Sequence, residues 1–144
     1  MNLENFPTFM LVVAGALMRG DGRFLMQRRP AHKHHGGLWE FPGGKVERDE
    51  TPANSLIREL AEELEIAVPP SALQPFAFAQ DDETGHGKPL VILLYSVASW
   101  GGEPRSTEGA EVRWISHEEA GALAMPPLDR ALLAHFEKRY FSTV

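Results

Sequence analysis

Residues 43–66 read GGKVERDETPANSLIRELAEELEI, and this stretch decides both the fold and the chemistry. Thr51 can cap a helix, Pro52 suits its first turn, and Ala53, Leu56, Ile57, Leu60 and Leu64 recur at helical spacing as an apolar stripe. The spacing predicts a helix from Thr51 to Glu65. At 3.6 residues per turn, Glu59, Glu62 and Glu63 lie within about 100° of arc and share a face beside that stripe. On open surface such like-charge neighbours cost only a few tenths of a kcal/mol. Partly buried, each pair at ~6 Å costs ~3 kcal/mol at an effective dielectric near 20, and the cluster needs a counterion. Hard divalent cations take carboxylate oxygens, and Mg²⁺ combines a few of them with water and phosphate oxygens.

Working outward, Pro42-Gly43-Gly44 reads as a tight turn on the N-terminal side, where a ligand can approach the backbone. Upstream, Phe9 to Met18 is an apolar run that reads as a buried strand, with Met10 and Met18 as packing residues. Gly20-Asp21-Gly22 is a turn, and Arg23 to Gln27 reads as the returning strand of a hairpin. Arg28 to Gly37 is a basic loop whose His32, His34 and His35 look like a metal cluster but have no acid beside them in sequence; a loop over phosphates is the other reading. Trp39 to Phe41 is a candidate short strand.

Downstream, Pro69-Pro70 stops the helix. Leu73 to Gln80 and Leu90 to Ser99 read as strands around a polar turn at Asp81 to Lys88, and Glu111 to Ile115 as a short strand. Ser116 and Glu119 have capping-box spacing for a helix to about Leu123, and Pro126-Pro127 opens a last helix, Leu128 to about Tyr140. Strands and helices mix without strict alternation, so the fold class is α/β, a mixed sandwich.

The 144 residues suit one domain, 1–144. Cys is absent, which excludes disulfides, thiolate metal sites and Cys nucleophiles. With 14 Lys and Arg against 20 Asp and Glu, the formal charge is −6, unsuited to non-specific binding of a nucleic acid polymer. No apolar run approaches the ~20 residues of a membrane span, and no signal peptide is evident. We expect a cytoplasmic protein without a membrane partner, as a monomer or homodimer.

Gly44, Glu50 and Arg58-Glu59-Leu60-Ala61-Glu62-Glu63-Leu64-Glu65-Ile66 together resemble the Nudix box, G-x5-E-x7-R-E-U-x-E-E-x-G-U, where U is aliphatic. Glu65 departs from it, standing where the family has the Gly that ends the helix in a left-handed conformation. The departure concerns the helix exit, at roughly 1 kcal/mol. Leu38 to Glu47 (LWEFPGGKVE), Gln27-Arg28-Arg29-Pro30 and Pro126-Pro127-Leu128-Asp129-Arg130 are similar to the MutT-type branch.

The resemblance implies a Nudix-type α/β/α sandwich with a mixed β-sheet between helices. It implies Mg²⁺-dependent, or Mn²⁺-dependent, hydrolysis of nucleoside triphosphates to monophosphate and pyrophosphate, as in cleansing the nucleotide pool ahead of DNA repair. By position, Glu59, Glu62, Glu63 and the Gly43 carbonyl match metal ligands, and Lys45 matches a residue near the phosphates. Gly44, Glu50 and Arg58 match structural supports, with Glu50 tied to Arg58. Arg29, with Arg28 as alternative, is the candidate phosphate clamp. The general base would be Glu108, with Glu103 and Glu111 as alternatives. Asp129 falls where the branch places its base reader. In members favouring 8-oxoguanine that residue is Asn, and Asp occurs in relatives accepting cytosine nucleotides or a broader range. Ionised Asp only accepts hydrogen bonds, which suits an exocyclic amine, while protonation would widen the choice. Phe78 or Trp39 would stack on the base. Cleavage of another nucleoside diphosphate derivative and a non-catalytic nucleotide sensor are the alternatives.

Overall fold

The computed structural model describes residues 9–81 and 89–141; the expected polar turn at Asp81 to Lys88 lies, beyond Asp81, outside the described residues. Strand β1 (Met10–Leu17) is the centre of the molecule. It pairs in parallel with β6 (Leu90–Val97) and antiparallel with β4 (Gly43–Lys45), and β6 pairs antiparallel with β5 (Leu73–Asp81). This mixed sheet runs β4-β1-β6-β5. A second, antiparallel sheet runs β3-β2-β7, from β3 (Trp39–Glu40), β2 (Phe24–Arg28) and β7 (Val112–Ile115).

Two sequence expectations change here. Phe24–Arg28 does not return along β1 as a hairpin. The two strands meet only at a Met18–Phe24 bridge, because β4 and β6 already occupy both edges of β1. The Gly43-Gly44 segment is not a turn but a strand, with Gly43 opposite Ala14 and Gly44 opposite Val13. Glycines carry no side-chain alternation, so the period-2 signal of a strand is invisible there.

Side chains alternate along β1, and that alternation builds two cores. Val13 and Leu17 face helix α1 (Pro52–Leu64) and pack with Leu56, Leu60, Leu64 and Val97. Ala14 and Ala16 face the other way, toward Leu132, Leu133 and Phe136 of helix α3 (Pro127–Tyr140). The strands are thus enclosed between helices. Thr51 Oγ1 caps α1 by accepting the Asn54 N–H at 3.2 Å, and Ala53 and Ile57 of the expected stripe are half-buried rather than buried. The Ser116–Glu119 capping box forms, but α2 (His117–Ala120) stops at Gly121, a poor helix former, short of Leu123. Among the described residues no helix is long and apolar enough to cross a membrane.

Helix α1 is fixed against β4 by a contact the sequence does not announce. Ser55 is fully buried and its hydroxyl donates to the Lys45 carbonyl at 3.2 Å. This tie sets the acidic face of α1 directly over the two glycines.

Candidate active site

The closeness of Gly44 and Glu59 explains why glycine stands there. A Cβ on Gly44 would collide with the Glu59 carboxylate, and one on Gly43 would collide with the Val13 carbonyl. Glu59 is therefore packed down onto the sheet, with its side chain 12% exposed, whereas Glu62 is 60% exposed. The shared helical face is graded from half-buried to open. Glu63 is half-buried, and burial pushes its carboxyl up to about 8, with the charges of Glu59, Glu108 and Glu40 and a hydrogen bond with Glu59 adding to the rise. Burial and the neighbouring carboxylates favour the protonated form of Glu63 near neutral pH, so the cluster gains from positive charge beside it.

Arg58 supplies part of that charge. Its Nε and Nη2 donate to Glu50 at 2.6 and 2.9 Å, and its Nη1 donates to Glu59 at 3.0 Å and Glu62 at 3.1 Å. The Arg58 hydrogen bonds, then the Glu47 N–H, hold the Glu50 carboxyl down at about 2. Among the described residues no group of three or more His, Asp or Glu side chains is already arranged to hold a metal ion. What the chain offers is a set of neighbouring carboxylate oxygens beside strand backbone. That donor set fits a hard cation that keeps several waters and takes the rest of its oxygens from a phosphate.

A small cavity of about 140 Å³ opens beside the acids, lined by Glu63, Glu108, Gly43, Gly44, Arg29 and Glu40 among others. Of the three candidate bases, Glu108 lines this cavity, and Glu103 and Glu111 do not. Glu108 is held by Lys33 Nζ at 3.6 Å, while Glu111 pairs with Arg28 at 3.7 Å. A larger cleft of about 850 Å³ adjoins it, lined by Val12, Ala14, Ile92, Phe41, Pro127 and Asp129 and reached by Lys45, His34 and His35. Arg29, Lys33, Glu40, Gly43 and Gly44 line both spaces, so the two communicate.

Asp129 sits at the α3 end of the cleft, 5% exposed, and accepts the Phe41 N–H at 3.1 Å. Burial first, and then the Glu40 charge, push its carboxyl up to about 7. Arg29 is not a free clamp. Its Nε donates to the His34 carbonyl at 2.7 Å and its Nη1 to Glu40 at 3.0 and 3.2 Å, which leaves Nη2 to reach a phosphate.

The expected stacking faces are not there. Phe78 is 60% exposed and sits opposite Leu93, whose side chain packs on the α1 side, whereas the cleft lies on the α3 side. Its position on an alternating strand decided this, and a bulge between Pro75 and Ala77 obscured the register. Trp39 is 7% exposed in the α3-side core, with the Arg113 guanidinium over its ring at 5.4 Å.

Sequence reading missed Glu40, the acid common to both spaces. Burial raises its carboxyl above the usual range, against the pull of Arg29. The signal was present: Trp39 and Phe41 are both buried in one core, so the residue between them had to face the other way. Lys33 was missed as well, hidden in a basic loop whose conformation its sequence does not dictate.

A NUDIX domain family model matches residues 8–136 of the chain. A CTP pyrophosphohydrolase of Escherichia coli strain K12 is 35% identical over 127 residues, covering 88% of this chain and 91% of its own. A putative 8-oxo-dGTP diphosphatase 2 of Mycobacterium tuberculosis is 36% identical over 125 residues, covering 86% of this chain and 85% of its own. The solution structure of the E. coli ORF135 protein superposes with a TM-score of 0.80 at 33% identity, covering 100% of this chain and 99% of that one.

Proposed function

The chain belongs to the Nudix family of hydrolases, and from that premise we propose that it cleaves nucleoside triphosphates to the monophosphate and pyrophosphate. The substrates we propose are cytosine and oxidised guanine nucleotides of the cytoplasmic pool. The observation that carries the reading is the pair of communicating spaces. An acidic cavity beside Glu63 and Glu108 suits a cation-bound polyphosphate, and the cleft ending at Asp129 has the volume and largely apolar lining of a small-molecule site.

Glu59, Glu62 and Glu63, with the Gly43 carbonyl, would hold Mg²⁺ or Mn²⁺. Such an ion neutralises phosphate charge and lowers the pKa of a water molecule. The remaining work falls to the chain. Glu108 accepts the proton of the attacking water at its carboxylate. Glu50 and Arg58 keep the acidic turn of α1 in register with β4. Lys45, Lys33 and the Nη2 end of Arg29 orient phosphate oxygens.

At the other end, Asp129 titrates near neutrality and therefore presents two faces. Ionised, it accepts from the cytosine exocyclic amine; protonated, it also donates to a carbonyl such as that of an oxidised guanine. This matches the two activities named among the relatives, CTP pyrophosphohydrolase and 8-oxo-dGTP diphosphatase. The test is incubation with Mg²⁺ and CTP, dCTP, 8-oxo-dGTP, dATP and a nucleoside diphosphate sugar, with identification of the phosphate product. Pyrophosphate released from the cytosine or 8-oxoguanine nucleotides is expected. Cleavage of the sugar derivative alone, or binding without product, would overturn the proposal.

A further inference from the structure

Arg58 divides its guanidinium between two tasks. Nε and Nη2 form one edge, which grips both oxygens of Glu50 at 2.6 and 2.9 Å. Glu50 is itself fixed by accepting the Glu47 N–H at 3.0 Å, and the Lys45 carbonyl accepts from Nη2 at 3.4 Å. Nη1, at the other end, donates to Glu59 at 3.0 Å and Glu62 at 3.1 Å. Two of the three acids on the helix face are therefore already bridged by a cation that belongs to the chain.

We propose that Arg58 is a resident counterion: its Nη1 holds Glu59 and Glu62 together in the ion-free protein and yields them when a divalent cation binds, while Nε and Nη2 remain on Glu50. The inference rests on the reading that Glu59 and Glu62 hold such a cation. An oxygen lone pair given to an N–H is not available to an ion, and a guanidinium repels an ion of like sign a few ångströms away. The two ends of the group are separable. The Glu50 end is anchored on the β4–α1 loop, and the Glu62 end is a 60% exposed side chain that can swing away. The exchange keeps the acidic turn neutralised before the ion arrives and leaves the support intact afterwards.

Two variants pull in opposite directions. In Arg58→Lys a single ammonium cannot span Glu50 and the Glu59–Glu62 pair, so the internal competitor is lost with no change of charge. Mn²⁺ binding without nucleotide, read from the free-ion electron paramagnetic resonance signal, should tighten about threefold to tenfold, the size of one or two partly exposed ion-pair contacts. The same variant should melt at a lower temperature in EDTA. In Glu50→Gln the latch weakens and the guanidinium is left to Glu59 and Glu62, so Mn²⁺ should bind less tightly. If Arg58 were only a scaffold, both variants would weaken Mn²⁺ binding together; unchanged or weaker binding by Arg58→Lys overturns the proposal. Should that variant not fold, the native chain decides. Its Arg58 Nη1 protons must shift on Mg²⁺ addition while the Nε–H stays protected, and an unmoved Nη1 sinks the idea. Turnover enters none of these readouts, so a protein that binds Mn²⁺ but cleaves nothing would contradict the proposed function alone.

Discussion

The Asp129 carboxylate accepts the backbone N–H of Phe41 at 3.1 Å across 88 residues of sequence. This bond joins the start of α3 to the segment that runs into Gly43 and Gly44, so the far end of the cleft and the acidic cavity are positioned by one contact.

Asp129 should make stability fall as pH rises. Its folded pKa of about 7 lies above the ordinary aspartate value of 3.8, so the folded state binds the extra proton in between. Stability from this group is complete below the unfolded value and is lost as pH climbs toward 7, by at most about 4 kcal/mol. Asp129→Asn keeps an oxygen for the Phe41 N–H and has no charge to bury. Urea melts at pH 5 and pH 8 should show the variant gaining on the native chain at the higher pH; equal gains at both would exclude the titration.

The same substitution should change base preference. Asn cannot ionise, so the ratio of kcat/KM for CTP to that for 8-oxo-dGTP should fall, by about tenfold if one hydrogen bond is exchanged. Identical ratios for the two proteins would remove Asp129 from base reading.

Glu62→Gln should separate activity from stability. The side chain is 60% exposed, so its loss should alter stability by no more than about 0.5 kcal/mol. Turnover should drop by more than the 10–100-fold typical of groups that merely orient a ligand. Glu108→Gln should also lower kcat, and Glu103→Gln and Glu111→Gln should leave it within about twofold, since neither lines the acidic cavity.

The two glycines should fail differently. Gly44→Ala meets a side chain, that of Glu59, and should displace it, with turnover lost and a cost of about 1–3 kcal/mol. Gly43→Ala meets the Val13 backbone and should break the β1–β4 pairing, which circular dichroism and melting would register as a larger loss of fold.

Glu65→Gly should stabilise the chain. Glu65 closes α1 in the left-handed conformation, at φ 57°, which costs a non-glycine residue about 1–2 kcal/mol. It gives up only an exposed ion pair with Arg105, worth about 0–1 kcal/mol. A rise in Tm of about 2–4 °C is expected; a fall would mean that the Arg105 contact outweighs the backbone strain.

The residue that broke the family pattern thus ends the helix in the family's manner, a result its identity could not announce. Much else was legible in the chain. Thr51, Pro52 and the Leu56, Leu60, Leu64 spacing set α1; Ser116 and Glu119 set α2; the order Glu59, Glu62, Glu63 put three acids on one face. These signals act over a few residues, through capping, helical periodicity and sterics, and so are written locally. Tertiary structure alone decided that β1 would have both edges filled, that Gly43 and Gly44 would be strand, that Phe78 would face away from the cleft, and that Glu40 would pair with Arg29 beside the cavity. It alone graded the acids, from the half-buried Glu59 to the open Glu62, and raised Glu63 and Asp129. Burial, edge occupancy and pKa depend on atoms brought close from distant parts of the chain, and a local pattern carries no record of which atoms those will be.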